Sequence, residues 1–137
     1  MAGNIKLEVV TPEKFVVNED AQIVVAPGIL GEFGVLKGHT TFLTSLKVGA
    51  VRYTDVNGKE RFVFVSGGFA EALPTKVTIL AESAERRRDI DMTRAKSAME
   101  RAEKRMAEER ARQEVDFVRA RAALERAIQR IRLAESK

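Results

Sequence analysis

Several residue types that carry chemistry are missing from this sequence or occur only once. It has no cysteine and no tryptophan, and it has one histidine and one tyrosine. Without cysteine there can be no disulfide, no thiolate metal site and no cysteine nucleophile. The single histidine, His39, cannot build a metal cluster, and no nucleophile elbow or Walker-type loop accompanies it. We therefore expect a chain that is not catalytic alone and that holds no metal or redox cofactor.

Long apolar runs are also missing. No stretch approaches the roughly 18 residues that a membrane span needs. The first six residues, Met-Ala-Gly-Asn-Ile-Lys, lack the basic-then-apolar order of a signal peptide. We expect any association with a membrane to be indirect, through a protein partner.

Glycine and proline are absent from the second part of the chain. All nine Gly and all three Pro lie at or before Pro74, and the residues beyond it are mostly helix formers such as Ala, Glu, Arg, Lys and Met. The charge shifts at the same place: residues 82–137 carry sixteen basic and twelve acidic residues, which accounts for the whole net charge of +4. We predict a β domain over residues 1–84 and a helical region over 85–137.

The first part has short apolar runs separated by turn signals. Asp55-Val56-Asn57-Gly58 predicts a hairpin, because Asn-Gly tolerates the positive φ of a tight turn. Gly67-Gly68 is interpreted as a break between two further strands. Regular short strands with frequent turns indicate an antiparallel β-sandwich or flattened barrel, so that the whole chain is α+β.

The second part has helical periodicity. Apolar residues step by three and four through two seams, which predicts helices over about 91–107 and 114–135 that pack as a hairpin. Asp91 is a candidate cap for the first helix. Residues 107–114 contain no Gly, Pro, Asn or Ser. They could therefore form either a turn or part of one long helix, and an Ala-rich seam leaves these two states close in free energy.

Specific motifs then suggest a family. Residues 7–13 (Leu-Glu-Val-Val-Thr-Pro-Glu) and residues 66–69 (Ser-Gly-Gly-Phe) resemble segments of the epsilon subunits of bacterial F-type ATP synthases. Residues 31–40 resemble that family's Gly-Glu-Phe-Gly-Val-Leu-Pro-Gly-His-Ala loop, with Lys37 in place of its proline. Residues 77–81 and 84–91 are similar to its last β hairpin and to its entry into the helices. The resemblance covers essentially the whole chain.

The resemblance implies a rotor subunit at the cytoplasmic face of the cell membrane. In this family the sandwich joins the gamma subunit to the ring of c subunits, and Glu32 and His39 would lie at that contact. The folded helical arm permits ATP hydrolysis. The extended arm reaches the alpha and beta subunits and inhibits hydrolysis, and Arg119 and Arg126 would then meet acidic segments of beta.

The resemblance also implies a regulatory ATP site on the folded arm. Residues 90–95 (Ile-Asp-Met-Thr-Arg-Ala) match a motif of the ATP-binding members of the family. By resemblance, Ile90 and Ala95 would line the base, and Asp91 and Arg94 would bind polar groups. The remaining candidates are an acidic residue near the base and three phosphate-binding arginines: Glu85, Arg101, Arg126 and Arg130. Bound ATP would neutralise two basic stripes and hold the arm folded.

Simpler interpretations stay open. In these interpretations Asp91 is only a helix cap, the arginines are solvated helix faces, and Arg86-Arg87-Arg88 is a solvated run at the domain junction. A different function, a nucleic-acid-binding β barrel with a basic arm, is favoured only by the charge. Acidic residues interleave the arginines and no aromatic stacking platform accompanies them, so we expect no nucleic acid partner.

Overall fold

The computed structural model describes residues 3–112 and 117–136, with the side chains of 109–112 and 117 outside that description. The chain separates into two compact units, Met1–Arg87 and Arg88–Lys137. This division falls three residues after the predicted boundary at residue 84, because residues 84–86 form a last strand of the first unit.

The first unit is built from strands. In the described residues they are β1 (Ile5–Val10), β2 (Phe15–Gly28), β3 (Gly31–Val35), β4 (Phe42–Asp55), β5 (Glu60–Ala72), β6 (Lys76–Leu80) and β7 (Ala84–Arg86). Hydrogen-bonded neighbours follow the order β1-β6-β5-β4-β2-β3, and β7 pairs with β5. Because β1 also pairs with β2, the sheet closes on itself. The expected β-sandwich or flattened barrel is confirmed.

Most neighbouring strands are antiparallel, as predicted, but β1 and β6 are parallel. The hydrophobic core fills the interior that the closed sheet surrounds. Along β1, Ile5, Leu7 and Val9 are fully buried and the residues between them are not, which is the period-two alternation of a strand with one buried face. Tyr53 and Phe64 are the largest fully buried side chains.

The β4–β5 hairpin forms where the Asn57-Gly58 pair predicts it. Gly58 has φ of 82° and its N–H donates to the carbonyl oxygen of Asp55 over 3.0 Å. The Asp55 carboxylate accepts hydrogen bonds from the N–H groups of Asn57 and Lys59, both over 2.9 Å, and from Arg61 Nε over 2.8 Å. This buried carboxylate therefore fixes the turn with three donors.

The predicted break at Gly67-Gly68 is wrong, because β5 continues through both glycines. They have φ of 99° and 123°, which bends the strand without ending it. Before the bend β5 pairs with β7, and after it β5 pairs with β6. A Cβ on Gly68 would lie 1.9 Å from the carbonyl oxygen of Leu80, so no side chain fits at this crossing point.

A 3-10 helix (Arg87–Asp89) begins at the last residue of the first unit and continues into the second. In the described residues it is followed by two α-helices, α1 (Met92–Arg112) and α2 (Phe117–Glu135). Helix α1 continues five residues beyond its predicted end at 107, because nothing in residues 108–112 disfavours helix. The two helices pack on each other. Since only residues 113–116 separate them, they run antiparallel as a hairpin. Four seam alanines are buried: Ala95, Ala102, Ala120 and Ala127.

Candidate functional site

The predicted nucleotide motif lies at the start of α1. The carboxylate of Asp91 accepts a hydrogen bond from the backbone N–H of Arg94 over 3.0 Å, and the carbonyl oxygen of Asp91 accepts one from the N–H of Ala95 over 2.9 Å. This is the geometry of an N-cap, so the predicted capping role of Asp91 is confirmed. Ala95 is buried in the helix seam and the Arg94 side chain is exposed.

Four arginines of the second unit occupy the same position relative to the helix seam. Arg94, Arg101 and Arg126 each come directly before a buried seam alanine, and so does Arg119. A residue that precedes a seam residue lies about 100° from it around the helix. In antiparallel helices this rotation carries both sets to the same side of the hairpin. The two predicted basic stripes therefore flank the seam on one face, called here the basic face.

A groove of about 400 Å³ opens between the two helices. One wall is the alanine seam, with Ala102 and Ala120 among its residues. Among the described residues, the cations Arg101, Lys104 and Arg105 and the acid Glu108 also line the groove. The groove places one predicted phosphate ligand, Arg101, beside two cations that the sequence reasoning left out. Their spacing of i, i+3 and i+4 along α1 was the signal that could have found them.

The other predicted residues are distributed over both units. Arg126 and Arg130 are half-buried on α2, and Arg119 is exposed there. Ile90 is half-buried just before α1. Glu85 is a half-buried residue of β7 and so belongs to the first unit. Arg94, Arg101, Arg126 and Arg130 thus share one helical unit, with Asp91 at the start of the same unit.

The predicted rotor-contact residues lie in the first unit, on and after β3. Glu32 is an exposed residue of β3 whose Oε1 accepts a hydrogen bond from Arg52 Nη2 over 2.7 Å. The Nδ1 atom of His39 lies 2.8 Å from the carbonyl oxygen of Thr40. The His39 ring meets the edge of Phe42 with centroids 5.1 Å apart, and Phe42 in turn packs on Phe33. The loop that carries His39 is therefore ordered by local packing.

Exposed apolar side chains lie before and after β3 in the chain. At the tip between β2 and β3, Ile29 is 63% exposed and Leu30 is 98% exposed. Leu36 and Leu43 are exposed as well. Leaving large aliphatic groups in water is unfavourable, by roughly 25 cal/mol per Å² of apolar area. Such a set of side chains is typical of a surface that a partner covers.

A polar cluster inside the sandwich was missed by the sequence reasoning. The hydroxyl of Tyr53 donates a hydrogen bond to the Glu19 carboxylate, and Arg86 Nη1 donates one to the same hydroxyl over 3.0 Å. Burial, and then the bond to Glu19, raises the pKa of Tyr53 to about 12. Arg86 is thus held within the sandwich, so the interpretation of residues 86–88 as a solvated run is wrong for its first member.

In the part of the chain that the structure describes, no group of three or more His, Asp or Glu side chains could hold a metal ion. No helix among the described residues is long and apolar enough to cross a membrane.

Comparison with known proteins identifies both units. Residues 4–87 match the family model of the ATP synthase delta/epsilon chain β-sandwich domain, and residues 88–135 match that of its long α-helix domain. The two matches meet at the division between the units of the structure. A β sandwich followed by a helical hairpin of this kind defines a non-catalytic subunit of a larger complex.

The chain belongs to the ATP synthase delta/epsilon chain family and is of the bacterial epsilon type. It is 68% identical over 108 residues to the ATP synthase epsilon chain of Desulforapulum autotrophicum, which spans 79% of this chain and 80% of that one. It is 65% identical over 106 residues to the epsilon chain of Desulfosudis oleivorans, with 77% and 80% covered.

A solved structure is similar in fold as well. A chain of the Euglena gracilis mitochondrial ATP synthase, described as OSCP/F1/c-ring in rotational state 1, matches with a TM-score of 0.77 and 26% identity. The match covers 92% of this chain and 78% of that chain. These comparisons confirm the predicted family.

Proposed function

We propose that this chain couples the gamma subunit to the ring of c subunits through its sandwich, and that its helical unit inhibits ATP hydrolysis in an extended state. The main support for this proposal is that the two units bury different kinds of side chain. The sandwich has a closed core of large side chains, whereas the seam of the hairpin buries mainly alanine. Opening the hairpin therefore forfeits little apolar burial, so a ligand or the state of the motor can select the conformation.

Docking on the rotor is supported by the surface around β3. Exposed Ile29, Leu30, Leu36 and Leu43 offer apolar area, and Glu32 and His39 add polar groups beside it. Substituting Leu30→Ser together with Leu43→Ser should weaken assembly with gamma and the c ring while leaving the fold unchanged, since both side chains are exposed. The measurement is the amount of chain that co-purifies with the reconstituted complex. Unchanged recovery would contradict this docking surface.

Inhibition is tested by removing the helical unit at the structural boundary. A chain that ends at Arg87 retains all of β7. It should assemble normally with the complex but should relieve inhibition of ATP hydrolysis. In the extended state we propose that Arg119 and Arg126 meet acidic segments of the beta subunits. Replacing both by Met should weaken inhibition, and hydrolysis rates that stay unchanged in both experiments would exclude the inhibitory role.

We further propose that ATP binds the basic face and favours the folded hairpin. Like charges on two facing helices repel each other, and a polyphosphate placed between them would remove that repulsion. Arg101, Arg126 and Arg130 would hold phosphates, with Ile90 and Ala95 near the base and Asp91 and Arg94 as polar contacts. The groove beside Arg101 offers room for an anion at the seam.

The ATP experiment must separate binding from helix capping, because Asp91 caps α1. Asp91→Asn keeps a good cap but removes the negative charge, so it is preferable to Asp91→Ala. Calorimetry with ATP should show binding to the wild type and at least tenfold weaker binding to Arg101→Met, the expected cost of one charge-assisted bond of roughly 1.5–3 kcal/mol.

Matched controls lie on the opposite side of the seam. Lys96 and Arg121 each follow a seam alanine and are exposed, so Lys96→Met and Arg121→Met remove the same charge away from the basic face. Their ATP affinity should remain close to that of the wild type. Equal losses in the two sets would mean that only net charge matters. The absence of any heat with millimolar ATP would exclude the nucleotide site.

A further inference from the structure

The chain leaves the sandwich through β7, which is too short for its backbone hydrogen bonds alone to keep it in the sheet. Strand β7 has three residues and pairs with β5 only across residues 63–65. So few backbone hydrogen bonds give a strand little independent stability. Its attachment must therefore depend on its side chains. The last of its residues, Arg86, has partners 70 and 33 positions away in the sequence.

Arg86 connects β7 to two other strands. Its Nε donates to the carbonyl oxygen of Val16 in β2 over 3.2 Å, and its Nη1 donates to the hydroxyl of Tyr53 in β4 over 3.0 Å. The same Nη1 lies 3.8 Å from the carboxylate of Glu19 in β2. The side chain of Arg86 is mostly buried, with 20% of its surface exposed. A planar guanidinium can satisfy several acceptors at once, which an ammonium group cannot do with the same geometry.

The acceptor at the centre of this cluster keeps its proton at neutral pH. Burial, followed by the hydrogen bond to Glu19, raises the pKa of Tyr53 to about 12. The neutral hydroxyl can therefore donate to Glu19 and accept from Arg86 at the same time. The three side chains form a satisfied polar cluster, which is the condition under which a buried network holds its members in one arrangement.

The next residue makes a second contact with the sandwich. The guanidinium carbon of Arg87 lies 4.5 Å from the centre of the Phe62 ring, which is a cation–π contact. Arg87 is the first residue of the 3-10 helix Arg87–Asp89, so this contact directly follows the end of β7. Arg86 and Arg87 thus both hold the chain directly before the helical unit begins at Arg88.

We propose that Arg86 is a positioning residue: by fastening β7 to β2 and β4, it makes Arg88 the first residue at which the helical unit can change its orientation. The inference rests on the proposed function in one respect, namely that the helical unit moves. Without Arg86, residues 84–86 would leave the sheet and lengthen the connection between the two units. The helical unit would then sample a wider range of positions relative to its attachment point.

The first measurement is hydrogen–deuterium exchange of the intact chain. Arg86→Met keeps the aliphatic length but removes every donor, and amides 84–86 should exchange about tenfold faster, as expected for the loss of one charge-assisted bond. Arg86→Lys restores charge but not the fork geometry and should give an intermediate rate. Arg88→Met is the matched control, because it removes the same charge just outside the sandwich and should leave the rate unchanged.

The second measurement distinguishes positioning from mere stability. The chain has no cysteine, so two spin labels can be placed at will. Lys59→Cys labels the β4–β5 turn and Lys96→Cys labels α1, and both side chains are exposed. Arg86→Met should broaden the distance distribution between them, whereas Arg88→Met should not. The distance between labels at Lys14 and Lys59, both exposed and both in the sandwich, should stay the same in every variant.

Either of two results would overturn the proposal. One is unchanged exchange of amides 84–86 in Arg86→Met, and the other is faster exchange with an unchanged distance distribution between the units. Should Arg86→Met disturb the whole sandwich, Tyr53→Phe removes only the acceptor hydroxyl, and unchanged exchange in that variant would be equally decisive. These measurements use the isolated chain, so their failure is distinguishable from failure of the hydrolysis and ATP experiments.

Discussion

The two units of this chain bury very different side chains. The sandwich encloses Tyr53, Phe64, Ile5 and Leu7 completely, whereas the described side chains that the helical unit buries are four alanines and Leu133. Burial of an alanine side chain contributes about 1 kcal/mol or less, against roughly 1.5–3 kcal/mol for a large aliphatic or aromatic one. One chain therefore joins a unit with a single well-determined fold to a unit whose packing can be opened at a small cost in free energy.

The largest loss of stability is expected from a substitution at the most crowded position of the sandwich. Gly68→Ala would place a Cβ 1.9 Å from the carbonyl oxygen of Leu80 at a φ of 123°. We expect a loss of about 4 kcal/mol or more in the free energy of unfolding, which is the exceptional range for one substitution. Urea denaturation followed by the fluorescence of Tyr53, the only tyrosine, measures it.

Gly31→Ala is the control for that experiment. Gly31 has φ of 135° but a Cβ there would meet no atom within 4 Å. Its substitution should therefore cost only the backbone strain, about 1–3 kcal/mol. Equal losses for the two variants would contradict the steric explanation.

A second test compares truncations in the two units. Leu7→Ala empties a fully buried position and should cost about 2–5 kcal/mol in the sandwich. Met99→Ala changes a half-buried residue of α1 and should cost less than about 1 kcal/mol. Tyrosine fluorescence reports the sandwich and circular dichroism at the helical band reports the hairpin. A larger loss of stability for Met99→Ala than for Leu7→Ala would contradict this difference between the two units.

A smaller effect is expected at high pH. The pKa of Tyr53 in the folded chain is raised to about 12 by burial and by its bond to Glu19. The sandwich should therefore keep this contribution to its stability below the ordinary tyrosine pKa of about 10 and lose it as the pH rises toward 12. Absorbance titration of this single tyrosine measures the shift directly, and an ordinary midpoint would mean that the hydroxyl is not held as described.

The smallest effect is expected at low pH. The hydrogen bond from Arg61, with the backbone N–H of Lys59, lowers the pKa of Asp55. A carboxyl with a lowered pKa stabilises the fold above its unfolded value and loses that contribution as the pH falls through the folded value. Asp55→Asn should therefore melt at a lower temperature than the wild type at pH 7. In acid the difference between the two melting temperatures should become smaller. Asp20→Asn, at an exposed position, should change neither.

The sequence predicted what depends on near neighbours. The β4–β5 turn follows from Asn57-Gly58, and the cap of α1 follows from Asp91, because both use residues within one turn. Gly67-Gly68 misled for the same reason: a local pattern cannot tell a turn from a bend at which β5 changes its partner. Strand β3 was missed because Gly31 and Gly34 lower its apparent strand preference.

Contacts between distant residues were beyond sequence reasoning. Tyr53 lies 34 positions from Glu19 and 33 from Arg86, so no spacing rule links them. The basic face was different, because heptad spacing placed Arg94, Arg101 and Arg126 on helical stripes, and the antiparallel packing then put both stripes on one side. The regulatory roles assigned to those arginines remain predictions that the ATP and hydrolysis experiments address.

The closure of the sheet by β1 has a consequence for how the chain is made. Strand β1 pairs with β2 beside it in sequence and also with β6, whose last residue is Leu80. During synthesis one edge of β1 therefore stays unpaired until some seventy further residues have left the ribosome. Until then that edge can pair with another chain, so nascent chains should need protection from one another during this interval.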